Sequence, residues 1–268
     1  MVKSRTMGTQ LSIITVNLNN KEGLLQTMHS VLNQTWQGFE YIIIDGGSAD
    51  GSVDLIRDYE NKLTCWVSEP DNGVYAAMNK GISYAKGEYL LFLNSGDTLL
   101  EADTLKNIIP LIFDEQVDLL YGDLRFDHGE SYVDYVFPDD ITFEFLCQRS
   151  LGHPSAFIKR VLFERIGNYE EHYRICADWV FFTSAICLHN CTYKHVPYVI
   201  TSFDTHGISS QQKYQNQIKK ERMHALTSKF RFLYEMHNEL FLLKEKLASL
   251  QRSKPYRFLK LLGLPKYQ

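Results

Sequence analysis

The sequence predicts an α/β fold, a mixed and mainly parallel sheet flanked by helices, with a helical C-terminal extension. Three observations carry that expectation. Short β-branched runs alternate with helically spaced apolar residues from Leu11 to about residue 110, the pattern of a parallel sheet covered on both faces. The links between them are short and rich in Gly, Asn, Asp and Ser, residues that turn the chain. From Gln211 onward strand-like runs give way to apolar positions at helical spacing. The chain of 268 residues divides on this reading into a body over 1–210, with halves at about 11–110 and 111–210, and an extension over 211–268.

Leu11-Ser-Ile-Ile-Thr-Val-Asn17 reads as the first strand, with Asn19 and Asn20 placed to cap a helix carrying Leu24, Leu25, Met28, Val31 and Leu32. Glu40–Asp45 is the second strand. The loop Gly46–Gly51 then leads to a helix through Val53, Ile56 and Tyr59, with Asp50 or Ser52 as its cap. Leu63–Val67 is the third strand. Asn72-Gly73 opens a helix with Met78, Ile82 and Ala85 inward, which Gly87 closes. Tyr89–Leu93 is the fourth strand, and another helix begins near Glu101. Asp118–Phe137 reads as strands and turns, Lys159–Ile166 and Asp178–Leu188 as helices, and Tyr193–Ile200 as a strand. Gln211 to about Leu250 is helical, with Ile218, Met223, Leu226, Phe230, Leu233 and Leu240 as an apolar stripe. Pro255 interrupts it before the basic amphipathic piece Tyr256–Leu264.

Composition bounds the function. With 44% apolar and 22% charged residues, the chain suits one large globular domain, or a domain with an appendage. The net charge of −4 is uneven: residues 211–268 hold 13 Lys and Arg against 4 Asp and Glu, and residues 1–210 hold 15 against 28. An acidic body argues against broad nucleic-acid binding. The basic tail points to an anionic surface such as a membrane face. No run approaches membrane-spanning length, and Met1–Gln10 lack a signal-peptide core, so a cytoplasmic protein is expected. Five cysteines without a CxxC pair read as free thiols. Cys187 and Cys191 with His189 and His195 are the metal-binding alternative.

The chemistry gathers at strand ends. The fourth strand stops at the corner Asn94-Ser-Gly-Asp97, which is either a turn or a ligand-holding edge, since open α/β sheets bind ligands beyond the carboxyl ends of their strands. Asp45, Asp71 and Asp97 all follow predicted strands and converge if those strands are parallel. Each alone can cap a helix or close a turn, but carboxylates gathered at one rim repel unless hydrogen bonds or a cation offset them. Hard divalent cations take oxygen ligands and often share them with phosphates. No GxGxxG or GxxxxGK[ST] is present, so neither glycine loop cradles a phosphate here. Asp178, in Ala177-Asp178-Trp179, reads from the residues alone as the N-cap of the helix that follows.

The segments LSIITVNLNN, SVLNQT, YIIIDGGSADGS, SEPDNGVYAAMNKGISYAKGEYLLFLNSGD and GHPSAFIKRVLFERIGNYEEHYRICADWVFF together resemble family-2 glycosyltransferases of the GT-A (Rossmann-like) fold, which build bacterial surface polysaccharides. The resemblance runs from Leu11 to about Ser210. It implies that Thr15, Asn17 and Asp45 surround the nucleotide base and ribose, and that Asp71, Asn72, Gly73 and Asn79 line the nucleotide pocket. Asn94, Ser95, Gly96 and Asp97 stand where the family usually has Asp-x-Asp-Asp. Asp97 matches the usual ligand of Mn²⁺ or Mg²⁺ on the donor diphosphate, whereas Asn94 and Gly96 replace two acids. Asp178 matches the general base of a single inverting displacement, in which an acceptor hydroxyl attacks the anomeric carbon and the nucleoside diphosphate leaves.

The resemblance also places His153 on the acceptor side and His206 in a late loop, as a metal or phosphate partner. It implies a nucleotide-sugar donor, a UDP-sugar by family habit, and a glycan or lipid-linked oligosaccharide acceptor in O-antigen, capsule or exopolysaccharide synthesis. The tail is either a solvated helical pair packing on the domain or on a second copy in a homo-oligomer, or a membrane contact. In the latter case Arg252, Lys254, Arg257 and Lys260 with Phe258, Leu259, Leu261 and Leu262 rest on the inner face of the cytoplasmic membrane. Two rival readings are a nucleotidyltransferase, against which the Gly-poor loop Asn17–Lys21 counts, and a sugar-nucleotide-binding or assembly subunit that has lost activity.

Overall fold

The computed structural model describes residues 10–128, 131–253 and 256. The basic piece predicted at the C-terminus therefore lies, apart from Arg252, Ser253 and Tyr256, outside the described residues. Two compact units meet at the Glu221/Arg222 boundary in the sequence.

The first unit runs β1 (Leu11–Asn17), α1 (Lys21–Leu32), β2 (Phe39–Asp45), α2 (Ser52–Asp58), β3 (Cys65–Ser68), α3 (Val74–Tyr84), β4 (Tyr89–Phe92), β5 (Thr98–Leu99), α4 (Thr104–Glu115) and β6 (Leu119–Asp127). It continues through β7 (Tyr132–Tyr135), α5 (Phe143–Gln148), β8 (Ala156–Lys159), α6 (Val161–Ile166), α7 (Ala177–Leu188), β9 (Tyr193–Asp204) and the first part of α8 (Gln215–Thr227). The second unit holds the end of α8 and α9 (Arg231–Arg252).

The sheet order is β3-β2-β1-β4-β8-β6-β9-β5, with β7 on β6. β1 to β4 are parallel. β8 is antiparallel to both β4 and β6, and β9 is parallel to β6. Two reversals restore the first direction, so β1, β2, β3, β4, β6 and β9 all end at one edge. β1 and β2 are buried almost throughout, as strands covered on both faces must be. On one face α1 and α4 place Leu24, Met28, Val31, Leu105, Ile108 and Ile112 against Ile13, Ile43 and Leu91. On the other, a Cβ at Gly81 of α3 would come within 2.5 Å of the Ile14 side chain, so only glycine lets α3 approach β1 this closely.

Several expectations need correction. The helix predicted over Lys159–Ile166 is α6, which begins at Val161; the strand β8 just before it, ending at Lys159, was not predicted. The apolar run Ala156-Phe-Ile-Lys159 is too short to show a period, and its pairing with β4 and β6 decides it. Gly87 does not close α3. That helix ends at Tyr84 with Ala85 as its cap, and a Cβ at Gly87 would meet the Ser12 backbone at 2.5 Å. Gly51, with φ 90°, occupies the cap position of α2, while Asp50 accepts from the Ser52 N–H at 3.0 Å. Asp178 is not a cap: Cys176 holds that place, and Asp178 sits in the first turn of α7. The single C-terminal helix is two, broken at Ser228–Phe230. Within the proposed stripe Leu226 and Phe230 are buried, but Met223 and Leu240 are exposed. α9 carries Phe232, Met236, Leu240, Leu243, Leu247 and Leu250 with more than half of each surface exposed. Among the described residues no helix is long and apolar enough to cross a membrane, and all five cysteines are free thiols.

Candidate active site at the carboxyl edge of the sheet

Where the strands end, a cleft of about 890 Å³ opens between the loop after β1, the start of α3, the corner after β4 and the end of β9. Its wall includes Asn17, Asp71, Gly73, Asn94, Ser95, Gly96, Asp204 and His206. Asn17, Asp71, Gly73, Asn94, Ser95, Gly96 and His206 were singled out by the sequence; Asp204, Asp127 and Arg174, which also line the cleft, were not.

Each rim residue has a local cause. Asp45 is 1% exposed and does not reach the cleft. Its carboxylate accepts from the Asn17 amide at 2.8 Å, the Ser68 hydroxyl at 2.6 Å and the Gly47 and Ser48 N–H groups at 3.1 and 2.9 Å. Burial alone would push this carboxyl up, but the hydrogen bonds from Ser48, Ser68 and Asn17 outweigh it and hold it below the usual carboxylate range. Asp45 therefore organises the loop that presents Asn17. Asp71 accepts from the Gly73 N–H at 2.8 Å, turning the chain into α3. Asn72 is exposed beside it and is not on the cleft wall.

Two other candidates are committed elsewhere. Thr15 is fully buried two residues short of the strand end, with its hydroxyl 3.1 Å from Tyr41 Oη. Asn79 clamps the Tyr169 backbone, donating to its carbonyl at 2.9 Å and accepting from its N–H at 3.0 Å.

The corner after β4 is held from behind. Asp97 is 2% exposed and accepts from the Asp204 N–H at 3.0 Å and the Asn94 N–H at 3.2 Å. Burial pushes its carboxyl up to about 6. It braces the wall without lining it. Gly96 stands in front with φ 110°, and a Cβ there would lie 2.5 Å from Asp204 Oδ2. Asp204 is one of the carboxylates that line the cleft, with Asp71 and Asp127. Its Oδ1 accepts from the His206 N–H at 2.8 Å and lies 2.7 Å from His206 Nδ1.

Asn94 joins this corner to Asp178. Its amide nitrogen lies 3.1 Å from His153 Nε2, and His153 Nδ1 lies 3.0 Å from Asp178 Oδ2. Asp178 Oδ1 accepts from the Tyr75 hydroxyl and the Trp179 N–H, both at 2.8 Å. Burial disfavours the Asp178 anion, yet the hydrogen bond and charge of His153, with the bonds from Tyr75 and Trp179, hold its carboxyl below the usual range. Burial and the neighbouring Asp178 push the Tyr75 hydroxyl far up, so it stays a donor. The start of α7 is fixed by Glu221, whose carboxylate accepts from the Arg174, Ile175 and Cys176 N–H groups at 3.1, 2.9 and 3.1 Å. Glu221 gave no signal in the sequence, since an acid inside a basic helix reads as a solvated charge.

The pattern of glycosyl transferase family 2 matches residues 12–186. A "PGL/p-HBAD biosynthesis glycosyltransferase" of Mycobacterium bovis is 35% identical over 204 residues, 73% of this chain and 77% of that protein. "Glycosyltransferase GlyG" of Streptococcus pneumoniae is 24% identical over 250 residues, 92% of this chain and 74% of that one. Residues 1–349 of S. aureus TarS, solved with UDP, superpose with a TM-score of 0.61 at 17% identity, covering 82% of this chain and 72% of that one. The mannosyltransferase PcManGT from Pyrobaculum calidifontis, solved with GDP-Man and Mn²⁺, gives 0.58 at 16% identity over 95% and 84%. At such identities the structural likeness shows the fold, which is the GT-A architecture the sequence resemblance implied. The span of the family match and the identity to the mycobacterial relative settle membership: the chain belongs to glycosyl transferase family 2.

Proposed function

We propose that this glycosyltransferase inverts the anomeric centre as it moves a hexosyl group from a UDP-sugar to a hydroxyl of a lipid-linked glycan in bacterial O-antigen, capsule or exopolysaccharide synthesis. One observation carries the reading. Asp178 lies one imidazole behind the cleft wall, joined to Asn94 through His153, so an anionic carboxylate stands next to a cleft large enough for a nucleotide-sugar. The TarS complexes with UDP and UDP-GlcNAc support a uridine donor. Asn17, Asp71, Gly73, Ser95 and Gly96 are the wall against which the nucleotide lies, and Arg174 adds positive charge there.

Asp178 acts as the general base. It takes the proton of the acceptor hydroxyl as that oxygen bonds to the anomeric carbon and the nucleoside diphosphate departs with the bonding pair. Among the described residues no group of three or more His, Cys, Asp and Glu side chains is arranged to hold a metal ion by itself. Asp204 and His206, side by side on the wall, fit a Mn²⁺ or Mg²⁺ that takes its remaining ligands from water and the diphosphate. When bound, that ion supplies positive charge opposite the leaving diphosphate. The exposed apolar residues of α9 support peripheral contact with the membrane that carries a lipid-linked acceptor.

The test measures release of UDP from UDP-GlcNAc, and of GDP from GDP-mannose, with and without Mn²⁺. The native chain is expected to turn over one of them slowly in the absence of acceptor. Asp178→Asn is expected to lose that turnover, by about 10²–10⁴-fold, while still binding the nucleotide. Unchanged turnover by the variant removes Asp178 from the mechanism.

A further inference from the structure

As the base proposed above, Asp178 has two oxygens to offer an acceptor hydroxyl, and the surroundings of both are set. Each carboxylate oxygen offers about two acceptor sites. Oδ1 accepts from the Trp179 N–H and shares the single Tyr75 hydroxyl proton with the Ile175 carbonyl, the tyrosine oxygen lying 2.8 Å from each acceptor. Oδ2 receives one partner, His153 Nδ1 at 3.0 Å, which leaves it one open position.

His153 is itself held from the other side. The imidazole and the Asp178 carboxylate expose only 13% and 16% of their side-chain surface, and His153 Nε2 faces the Asn94 amide. With Nδ2 toward the ring, Asn94 donates to the neutral imidazole. In that placement Asn94 Oδ1 is buried with no hydrogen-bond partner. Turning the amide over keeps its shape, brings Oδ1 to face Nε2 and satisfies that oxygen from an imidazolium N–H. Asparagine can thus serve both protonation states of His153, which neither an ionised carboxylate nor an apolar residue can.

We infer that His153 is the positioning residue of Asp178, held in its turn by Asn94, so that the acceptor hydroxyl meets the one open position on Asp178 Oδ2. This rests on Asp178 being the base. It gives Asn94 a purpose where the family pattern leads one to expect an acid: its side chain serves the imidazole. The titratable groups facing the pair are Asp97 behind the corner, Tyr75 on α3 and Tyr169 after α6. Burial alone would lower the His153 pKa, but the hydrogen bond and charge of Asp178, with the charge of Asp97, outweigh it and raise it.

Substitutions at 153 separate positioning from packing. An Asn side chain places an N–H near the site of Nδ1, whereas a Gln side chain places one near the site of Nε2. Turnover of UDP-GlcNAc and GDP-mannose with Mn²⁺ is measured for His153→Asn, His153→Gln and His153→Ala, with UDP affinity as the control. Positioning predicts that His153→Asn keeps the most activity and that Gln and Ala fall by about 10²-fold in kcat with donor KM little changed. Gln equal to or better than Asn, as side-chain volume alone predicts, overturns the inference.

A second readout needs no donor. The His153 resonance, assigned by its loss in His153→Asn, is titrated by NMR in the free protein. Its midpoint is expected to fall in Asp178→Asn, which removes the charge that raises it, and an unchanged midpoint overturns the pairing. The two failures are distinguishable. An active Asp178→Asn sinks the base assignment, whereas an inactive Asp178→Asn beside fully active His153 variants sinks this inference alone.

Discussion

The backbone N–H of Asp204 donates to Asp97 Oδ1 at 3.0 Å, across 107 residues of sequence. That bond ties the corner after β4 to the end of β9. A buried carboxylate at the back of the corner fixes the backbone from which a second carboxylate, Asp204, turns into the cleft.

Holding an acid in that buried place makes stability depend on pH. The Asp97 carboxyl is raised by burial from 3.8 to about 6, so between those values the folded state binds more protons than the unfolded state. Stability therefore rises as pH falls through 6, by roughly 1 kcal/mol at pH 5 and at most about 3 kcal/mol below 3.8. The raised His153 works in the same direction; Asp45 and Asp178, held low, withdraw their contributions only below the ordinary carboxylate range. Urea unfolding in EDTA is expected to show the native chain gaining about 1 kcal/mol more than Asp97→Asn between pH 7.5 and pH 5. Equal gains for both proteins refute the assignment.

The sequence was most readable where strands are parallel and buried. β1 and β2 announce themselves as β-branched runs bounded by turn residues, and the rim positions Asp71 and Asn94 to Gly96 follow from strand ends, whereas Asn17 comes from the family resemblance. Asp204 and Asp127 also end strands, yet their place at the same edge depends on β8, whose two antiparallel pairings reverse the direction twice. A four-residue strand carries too little pattern to reveal this. Thr15 and Asn79 fit the motif, but their side chains are taken up by Tyr41 and Tyr169, contacts that only tertiary packing determines.

Gly96 is a tight point of the wall. At φ 110°, with Asp204 Oδ2 2.5 Å from where a Cβ would sit, alanine is strained and also displaces the carboxylate. Gly96→Ala is expected to cost about 1–3 kcal/mol and to weaken UDP binding measured with Mn²⁺ more than UDP binding measured in EDTA. An equal effect under both conditions separates the glycine from the ion site.

Asp204 and His206 make a matching prediction about ligand removal. If they share a cation with the diphosphate, adding Mn²⁺ raises UDP affinity in the native chain and much less in Asp204→Ala or His206→Ala. Titration calorimetry with and without EDTA is expected to show at least a roughly tenfold enhancement, about 1.4 kcal/mol, that either variant removes. Asp97→Asn is expected to keep part of it, because Asp97 braces the wall from behind. Full loss in Asp97→Asn with none in Asp204→Ala exchanges their roles.

Glu221 offers the last test, because it acts on Asp178 without touching it. Its carboxylate receives three backbone N–H groups just before α7, at Arg174, Ile175 and the cap residue Cys176. Negative charge is also favoured at that end of a helix. Glu221→Ala leaves those donors without their acceptor and is expected to cost about 1–3 kcal/mol, read from urea unfolding. Asp178 stands two residues into the helix that these bonds anchor, so turnover should fall while UDP affinity holds. Glu221→Gln keeps one acceptor oxygen but not the charge, and should recover part of both quantities. Native stability in Glu221→Ala shows that water replaces the carboxylate at no cost and removes Glu221 from the account of how Asp178 is aimed.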